Sequence, residues 1–172
     1  MRRAIFIGRF QPFHRGHRQV VEAISDRVDE LVVGIGSAGD SHTADDPFTG
    51  GERIMMITKA LMDLDLVTYA VPIEDLERNS VWVSHVQSMS PRFDVAFSNN
   101  PLVVRLFEES NVPVEQVPMV DRHRYEGAEV RRRMIEDDGW EELVPSAVVE
   151  VVTEIDGIGR LQQVARSDES NG

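Results

Sequence analysis

The sequence has no cysteine and only one lysine, Lys59, among its 172 residues. Without cysteine, the chain can build neither a disulfide framework nor a metal site made of thiolates. No apolar run approaches the roughly 20 residues that span a bilayer. The start Met1-Arg2-Arg3 passes too soon into an apolar run to be a signal peptide. We therefore expect a cytoplasmic chain whose fold depends on its own core.

The charge of the chain is strongly unbalanced. It has 30 acidic against 18 basic residues and a formal net charge of −12. Such a field repels nucleic acids and anionic membranes, so neither is expected as a partner. An acidic, lysine-poor surface also favours adaptation to high salt, because at about 1 M the Debye length is only about 3 Å; an ordinary acidic protein is the alternative. A polyanionic substrate would need local arginines and backbone N–H groups.

One loop, from Gly8 to His17, stands between two structural patterns. Ala4 to Ile7 is an apolar run that predicts a buried strand. After the loop, apolar residues at helical spacing predict a helix: Val20, Val21, Ile24 and Val28. Phosphates bind at helix N-termini beyond the carboxyl ends of parallel strands, so the loop is a predicted phosphate site. It matches neither a Walker A motif nor a Gly-x-Gly-x-x-Gly fingerprint.

Two histidines carry the chemistry expected of this loop. His14 and His17 flank Gly16, and a glycine there lets the backbone approach a ligand closely. For histidines at an arbitrary helix start, capping or plain solvent exposure is the simpler interpretation. The preceding residues Gly-Arg-Phe-Gln-Pro-Phe instead favour the interpretation that both histidines bind the ligand of this loop.

The whole loop resembles the His-x-Gly-His signature of the nucleotidylyltransferase superfamily, in the fuller form seen in archaeal-type nicotinamide mononucleotide adenylyltransferases. The resemblance implies in-line attack by the phosphate of nicotinamide mononucleotide on the α-phosphate of ATP, which yields NAD and pyrophosphate. Mg²⁺ would arrive with the ATP, and the chain itself would supply no metal site. The attacking phosphate, with a second pKa of about 6, is largely ionised at neutral pH, so alignment and charge neutralisation matter most.

The resemblance also assigns roles to residues. The catalytic set is His14, His17 and Arg131. The ATP-binding set is Gly8, Arg9, Phe10, Gln11, Gly16 and Gly127. The nicotinamide mononucleotide set is Asn79, Trp82, Gly36 and Ser37. Trp82 would stack on the cationic pyridinium ring, for which tryptophan is the best aromatic face, although a helical tryptophan is more often part of a core.

Two further segments resemble the family with departures. Pro47 to Arg53 opens a helix in which Thr49 and Glu52 have capping-box spacing, but Asp45 stands where relatives carry a phosphate-binding arginine.

In the second segment, Gly127 and Arg131 are kept. Glu126 replaces a serine and Ala128 a threonine, so two hydroxyl donors are missing. The neighbouring arginines 132 and 133 point elsewhere on the helix and are expected to pair with acids or serve an interface.

The pattern along the chain predicts an α/β fold, a Rossmann-like open parallel sheet of about five strands with flanking helices. The predicted strands are residues 4–7, 31–35, 67–73, 94–98 and 114–117. A single nucleotidyltransferase domain is expected over residues 1–165, followed by a disordered tail over 166–172. The family resemblance implies a homo-oligomer, with a hexamer among the forms that relatives adopt.

Two alternatives to this function stay open. One is another adenylyl or cytidylyl transfer on the same fold, to FMN or pantetheine phosphate, which Asn79 and Trp82 disfavour. The other is a regulator that binds a nucleotide without turnover. Only the departures at Asp45, Glu126 and Ala128 favour that second alternative.

Overall fold

The computed structural model describes residues 1–172 and has five parallel strands in one open sheet. The strands are β1 (Arg3–Gly8), β2 (Glu30–Ile35), β3 (Val67–Pro72), β4 (Val95–Phe97) and β5 (Val114–Glu115). Their order across the sheet is β3-β2-β1-β4-β5, and every neighbouring pair is parallel. The predicted fold class is confirmed.

Seven α-helices flank the sheet. They are α1 (Arg15–Ser25), α2 (Gly50–Leu61), α3 (Trp82–Met89), α4 (Pro101–Glu109), α5 (Gly127–Glu136), α6 (Ser146–Glu154) and α7 (Gly157–Ser170). Two 3₁₀ turns, Asn79–Val81 and Trp140–Leu143, precede α3 and α6. None of these helices combines the length and the apolar character that crossing a bilayer requires.

The central strands β1 and β2 are apolar apart from their first residues because both faces of the sheet are covered there. In β1, Ala4 belongs to the larger of two apolar clusters and the next residue, Ile5, to the smaller. β2 alternates in the same way, with Leu31 in the larger cluster and Val32 in the smaller. The larger cluster includes residues of α1, α2, α5, α6 and α7, and the smaller one includes residues of α3 and α4.

The strand order fixes where a ligand can bind. The chain runs outward from β1 to β2 and β3, and then crosses back to β4 on the other side of β1 and continues to β5. In open α/β sheets, ligands bind beyond the carboxyl ends of the strands at such a switch point. The loop after β1 lies at this place.

The edge strand β3 agrees with its sequence. A proline in a sheet is tolerated at an edge or at a strand end, and Pro72 stands at both, since it ends β3 at the sheet edge. Proline has no backbone N–H, and at this position the sheet loses no hydrogen bond because of it.

Two helix starts differ from what residue type alone would predict, since Asn and Ser are preferred N-cap residues. Neither Asn79 nor Ser80 caps a helix; both lie inside the 3₁₀ turn, whose cap residue Arg78 makes no side-chain cap. Ser146 is the first residue of α6 rather than its cap, which is Pro145. Such ends depend on how the preceding turn is held, which local propensity does not determine.

The C-terminal helix is longer than expected. α7 continues to Ser170, so most of the segment 166–172 predicted as a disordered tail is helical, although all seven of its residues are exposed. No proline or glycine interrupts the chain between Arg160 and Asn171, so nothing local stops the helix. The domain boundary at residue 165 stays a prediction.

Candidate active site

The packing of Phe10 against Gly8 shapes the loop after β1. Phe10 is 1% exposed and adopts a left-handed backbone conformation with φ of 54°. Its ring fills the space beside Gly8, where a Cβ would lie 2.9 Å from ring atoms. Gly8 is therefore required by the close approach of Phe10. The ring also packs edge-on against His17, with 4.7 Å between centroids.

Gln11 ties the loop to the segment before α2. Its side-chain Nε2 donates to the Phe48 carbonyl at 2.9 Å, and its Oε1 accepts the Phe48 N–H at 2.9 Å. The side chain is buried. Its amide thus makes a two-bond bridge within the protein, and the assignment of Gln11 to ATP stays a prediction.

His14 and His17 begin α1 as a pair. His14 is the N-cap residue, and its Nδ1 accepts the His17 N–H at 3.3 Å. In return, His17 Nδ1 accepts the His14 N–H at 3.1 Å. The two rings stack with centroids 3.6 Å apart. A nitrogen that accepts a hydrogen bond carries no proton, so each neutral ring has its proton on Nε2.

Burial keeps both rings neutral. It lowers the pKa of His14 to about 4, helped by the charge of Arg131. Burial likewise brings the pKa of His17 well below its ordinary value, with His14 adding to the effect. At pH 7 the pair therefore offers two N–H donors without positive charge. Neither Nε2 has a hydrogen-bond partner in the protein, and neither is sealed from solvent.

Gly16 allows the pair to form. A Cβ at this position would lie 2.9 Å from His14 Cε1 and 2.9 Å from Tyr125 Cβ. Tyr125 belongs to the loop before α5, so the contact also brings that loop against the start of α1. Any side chain at residue 16 would push the histidine and the tyrosine apart.

Arg131 and Gly127 complete this side of the site. Arg131 Nη1 donates to the Gln11 carbonyl at 3.1 Å, which holds the half-buried guanidinium against the loop. Gly127 lies directly beside it, since a Cβ there would meet Arg131 Nη1 at 2.8 Å. The N-cap residue of α5, Glu126, makes no side-chain hydrogen bond to the helix. The first-turn N–H groups of α5 therefore lie near a fixed cation.

Arg9 faces the same region from the other side. Its guanidinium forms an ion pair with Asp46 at 2.6 Å and donates to the Asp45 carbonyl at 3.2 Å. Burial and the nearby charge of Arg9 lower the pKa of Arg131, while Asp45 and Asp46 oppose that shift. Two arginines and two aspartates thus share one electrostatic environment.

The other arginines of α5 take no part in this site. Glu129 binds Arg132 at 2.8 Å and Arg133 at 3.0 Å, and Arg132 also binds Glu136 at 2.7 Å. The expectation that both arginines pair with acids is confirmed. Among the arginines of α5, only Arg131 is directed to the loop after β1.

A cleft opens at the switch point between β1 and β4. It is lined by Gly8, His17, Phe97, Ser98, Asn99 and Met119, among others. Asn99 shapes its wall, since its amide accepts the Val117 N–H at 3.2 Å and donates to the Val117 carbonyl at 2.6 Å. This side chain continues the β4–β5 pairing beyond the last strand residue. The predicted site did not include Asn99, whose place after a strand is equally typical of a turn.

The predicted mononucleotide residues fall into two groups. Gly36 and Ser37 follow β2 beside the loop, and the Gly36 N–H donates to the Gly8 carbonyl at 2.8 Å. Trp82 instead packs its ring edge-on against Phe107, at 5.5 Å, on the smaller apolar cluster. Asn79 is exposed in the 3₁₀ turn. Neither Trp82 nor Asn79 lines the cleft beside His17.

Sequence reasoning missed Arg53. Its side chain is 0% exposed, and its guanidinium donates to main-chain carbonyls of the loops after β1 and β2. An arginine in the second turn of a capped helix resembles a surface residue in sequence. No local signal could have identified it.

No group of three or more His, Cys, Asp and Glu side chains surrounds a common metal position in this structure. The side chains at the site are arginines and neutral imidazoles, together with the aspartate pair near Arg9. Arginines and N–H donors suit the oxygens of a phosphate rather than a bare cation.

Comparisons with known proteins extend the likeness to the whole chain. The family described as cytidylyltransferase-like matches residues 5–133. A nicotinamide-nucleotide adenylyltransferase of Halobacterium salinarum is 69% identical over 172 residues, which is 100% of this chain and 97% of the relative. The enzyme of the same name from Haloarcula marismortui is 66% identical over 96% of this chain and 88% of the relative. These halophilic relatives agree with the predicted adaptation to high salt.

Solved structures support the fold. A bifunctional NMN adenylyltransferase/ADP ribose pyrophosphatase from Francisella tularensis, complexed with AMP and a manganese ion, superposes with a TM-score of 0.72 at 18% identity. The match covers 98% of this chain and 53% of that protein. At this identity the likeness establishes a common architecture.

Proposed function

Because this chain belongs to the archaeal nicotinamide-nucleotide adenylyltransferases, within the cytidylyltransferase-like family, we propose that it joins ATP to nicotinamide mononucleotide. The products are NAD and pyrophosphate. The observation that carries this function is the pair His14 and His17, whose free Nε2–H donors lie beside Arg131 at the carboxyl edge of the sheet.

The reaction is one in-line displacement at phosphorus. An oxygen of the mononucleotide phosphate forms a bond to the α-phosphorus of ATP, and the bond from that phosphorus to the bridging oxygen of the β-phosphate breaks. The electron pair leaves with pyrophosphate. No side chain of the protein forms a covalent bond to either substrate. The chain therefore contributes alignment and charge stabilisation.

Each residue of the phosphate side has a role that follows from its chemistry. His14 and His17 donate from Nε2 to phosphate oxygens without bringing a second and third positive charge next to Arg131. Arg131 and Arg9 neutralise the charge that develops on the leaving group. Gly8, Phe10 and Gln11 shape the loop. Gly16 and Gly127 leave room beside His14 and Arg131, where a Cβ would collide, and the triphosphate is assigned to the backbone at these two glycines.

The acceptor side is assigned to Gly36, Ser37, Asn79 and Trp82. Trp82 has its ring at the N-terminus of α3 and is only partly buried. The proposal that it stacks on the pyridinium is supported by the preference of cations for an indole face. Asn79, which is exposed and lies one turn earlier, would form a hydrogen bond with a polar group of the same substrate.

A divalent cation enters the reaction as part of the substrate. We assign Mg²⁺ to the phosphates of ATP, whose negative charge it would reduce. The arginines and neutral histidines bind the oxygens that the cation leaves free. The predicted homo-oligomer and the cytoplasmic location belong to the same proposal, and light scattering would test the former.

The test is release of pyrophosphate at high salt from ATP and magnesium, offered with nicotinamide mononucleotide, pantetheine phosphate and FMN in parallel. Turnover with the mononucleotide alone is expected. Turnover with another acceptor would agree with the proposed role of the histidines and would refute the proposed nicotinamide site. Absence of turnover with all three would favour a binding protein without catalysis.

A further inference from the structure

Arg53 is a buried arginine without an acidic partner. It heads the fully buried side chains in size, and every hydrogen bond of its guanidinium goes to a main-chain carbonyl. Taking a guanidinium out of water is unfavourable unless hydrogen bonds compensate for the lost hydration, so an arginine is a costly residue for filling space alone. A role beyond filling space is therefore expected for this side chain.

Apart from the Thr49 carbonyl at the start of its own helix, the carbonyls that Arg53 binds belong to the loops after β1 and β2, the two proposed substrate loops. Nη1 donates to the Arg9 carbonyl at 2.9 Å and to the Gly36 carbonyl at 2.8 Å. Nη2 donates to the Ser37 carbonyl at 3.0 Å. Arg9 precedes the histidine pair on the ATP side, whereas Gly36 and Ser37 stand on the proposed mononucleotide side. One rigid planar group thus joins the ends of β1 and β2.

The backbone next to these carbonyls is strained. Phe10, which follows Arg9, has φ of 54°, and Ser37 has φ of 48°. Non-glycine residues in this region persist only where the surrounding structure holds them in place. The bonds from Arg53 fall directly on the carbonyls of Arg9 and Ser37, so they hold both left-handed turns.

We propose that Arg53 is a positioning residue that sets the separation of the two substrate loops, and thereby the line along which one phosphate attacks the other. The inference rests on the proposed adenylyl transfer, in which the reacting atoms must be aligned. Arg53 contacts neither substrate. It acts through the main chain of Arg9, Gly36 and Ser37.

The test compares two substitutions at residue 53 with a matched control. Arg53→Met keeps the length of the side chain and removes every donor; Arg53→Lys keeps the charge and part of the donor set. The control is Arg18→Met. Arg18 also donates to a carbonyl of α2, that of Ala60, but at the opposite end of that helix. For each variant, thermal unfolding, kcat and both KM values are measured with ATP and nicotinamide mononucleotide.

A misplacement of about 1 Å can lower a rate about 100-fold, so we expect kcat of Arg53→Met to fall about 10- to 100-fold. Each KM should change by less than kcat does. Arg53→Lys should recover part of kcat, because an ammonium can still reach one or two carbonyls. Arg18→Met should lose thermal stability and keep kcat.

Three results would overturn the proposal. These are a folded Arg53→Met with the kcat of the wild type, an Arg53→Lys with unchanged kcat while Arg53→Met fails to fold, and failure of both variants to fold. Each would mean that Arg53 serves only the stability of the fold. A wild-type protein without turnover would instead refute the proposed function, so the two failures are distinguishable.

Discussion

The Nδ1 atoms of His14 and His17 each accept the main-chain N–H of the other residue, at 3.3 and 3.1 Å. A capping box is usually built from Ser or Thr and Glu, and here two imidazoles build it. The same two bonds that begin α1 also fix which nitrogen of each ring carries the proton. The start of the helix and the orientation of the two donors are therefore one structural feature.

Substitution of His17 should affect the chemical step. His17→Ala removes an Nε2–H donor assigned to the transition state, so kcat should fall about 100- to 1,000-fold while KM for ATP changes less. Steady-state pyrophosphate release measures both constants. His123→Ala is the control, because its side chain is fully exposed. A rise in KM at unchanged kcat would remove His17 from the transition state.

Acid should destabilise the protein through the histidine pair. The folded pKa of His14 is about 4 and the unfolded value is about 6.5, so the unfolded chain binds more protons below pH 6.5. The unfolding free energy that depends on neutral His14 is at its full value above pH 6.5 and is lost as the pH falls towards 4. Between pH 7 and pH 5 the loss should be about 2 kcal/mol for His14. His17, whose pKa is also lowered, adds in the same direction.

Denaturant unfolding of the wild type and of His14→Asn at pH 7, 6 and 5 measures this effect. Asparagine is a good N-cap residue, so the helix start is kept. The variant should show a smaller loss of unfolding free energy between pH 7 and pH 5. Equal slopes for the two proteins would mean that His14 is charged in the folded state.

The ion pair of Arg9 with Asp46 should compete with ATP. Their contact at 2.6 Å occupies a guanidinium that we assign to the triphosphate. Since half of the Arg9 side chain is exposed, the pair is worth about 1 kcal/mol or less. Asp46→Asn should therefore lower KM for ATP by up to about 5-fold, most clearly at low salt where screening is weak.

Kinetics over a KCl series checks this prediction. Glu22→Gln is the matched control, because Glu22 forms an ion pair with Arg18, a residue assigned no substrate contact. If KM for ATP instead rises in Asp46→Asn, the aspartate holds Arg9 in its binding position and does not compete with the substrate.

Local features were predictable from the sequence, and long-range ones were not. The strand–loop–helix unit around His14 and the capping box of Thr49 with Glu52 depend on neighbours in sequence, and the structure contains both. Arg53 was missed because its burial depends on carbonyls of the loops after β1 and β2, at residues 9 and 36–40. The tie between Gln11 and Phe48 escaped for the same reason, since sequence does not show which segment a buried amide meets.

Substitution of Trp82 should show whether its ring serves the core or binds the mononucleotide. Its ring rests edge-on on Phe107 at 5.5 Å, so Trp82→Ala removes both a core contact and the proposed platform for the pyridinium. A cation–π contact of about 1–2 kcal/mol corresponds to roughly a tenfold rise in KM for nicotinamide mononucleotide. KM for ATP should stay within about twofold of the wild type, because the proposed ATP site lies on the other loop. Phe107→Leu is the matched control, as it loosens the same packing and leaves the indole in place. Equal losses for both substrates in Trp82→Ala, reproduced by Phe107→Leu, would assign Trp82 to the core.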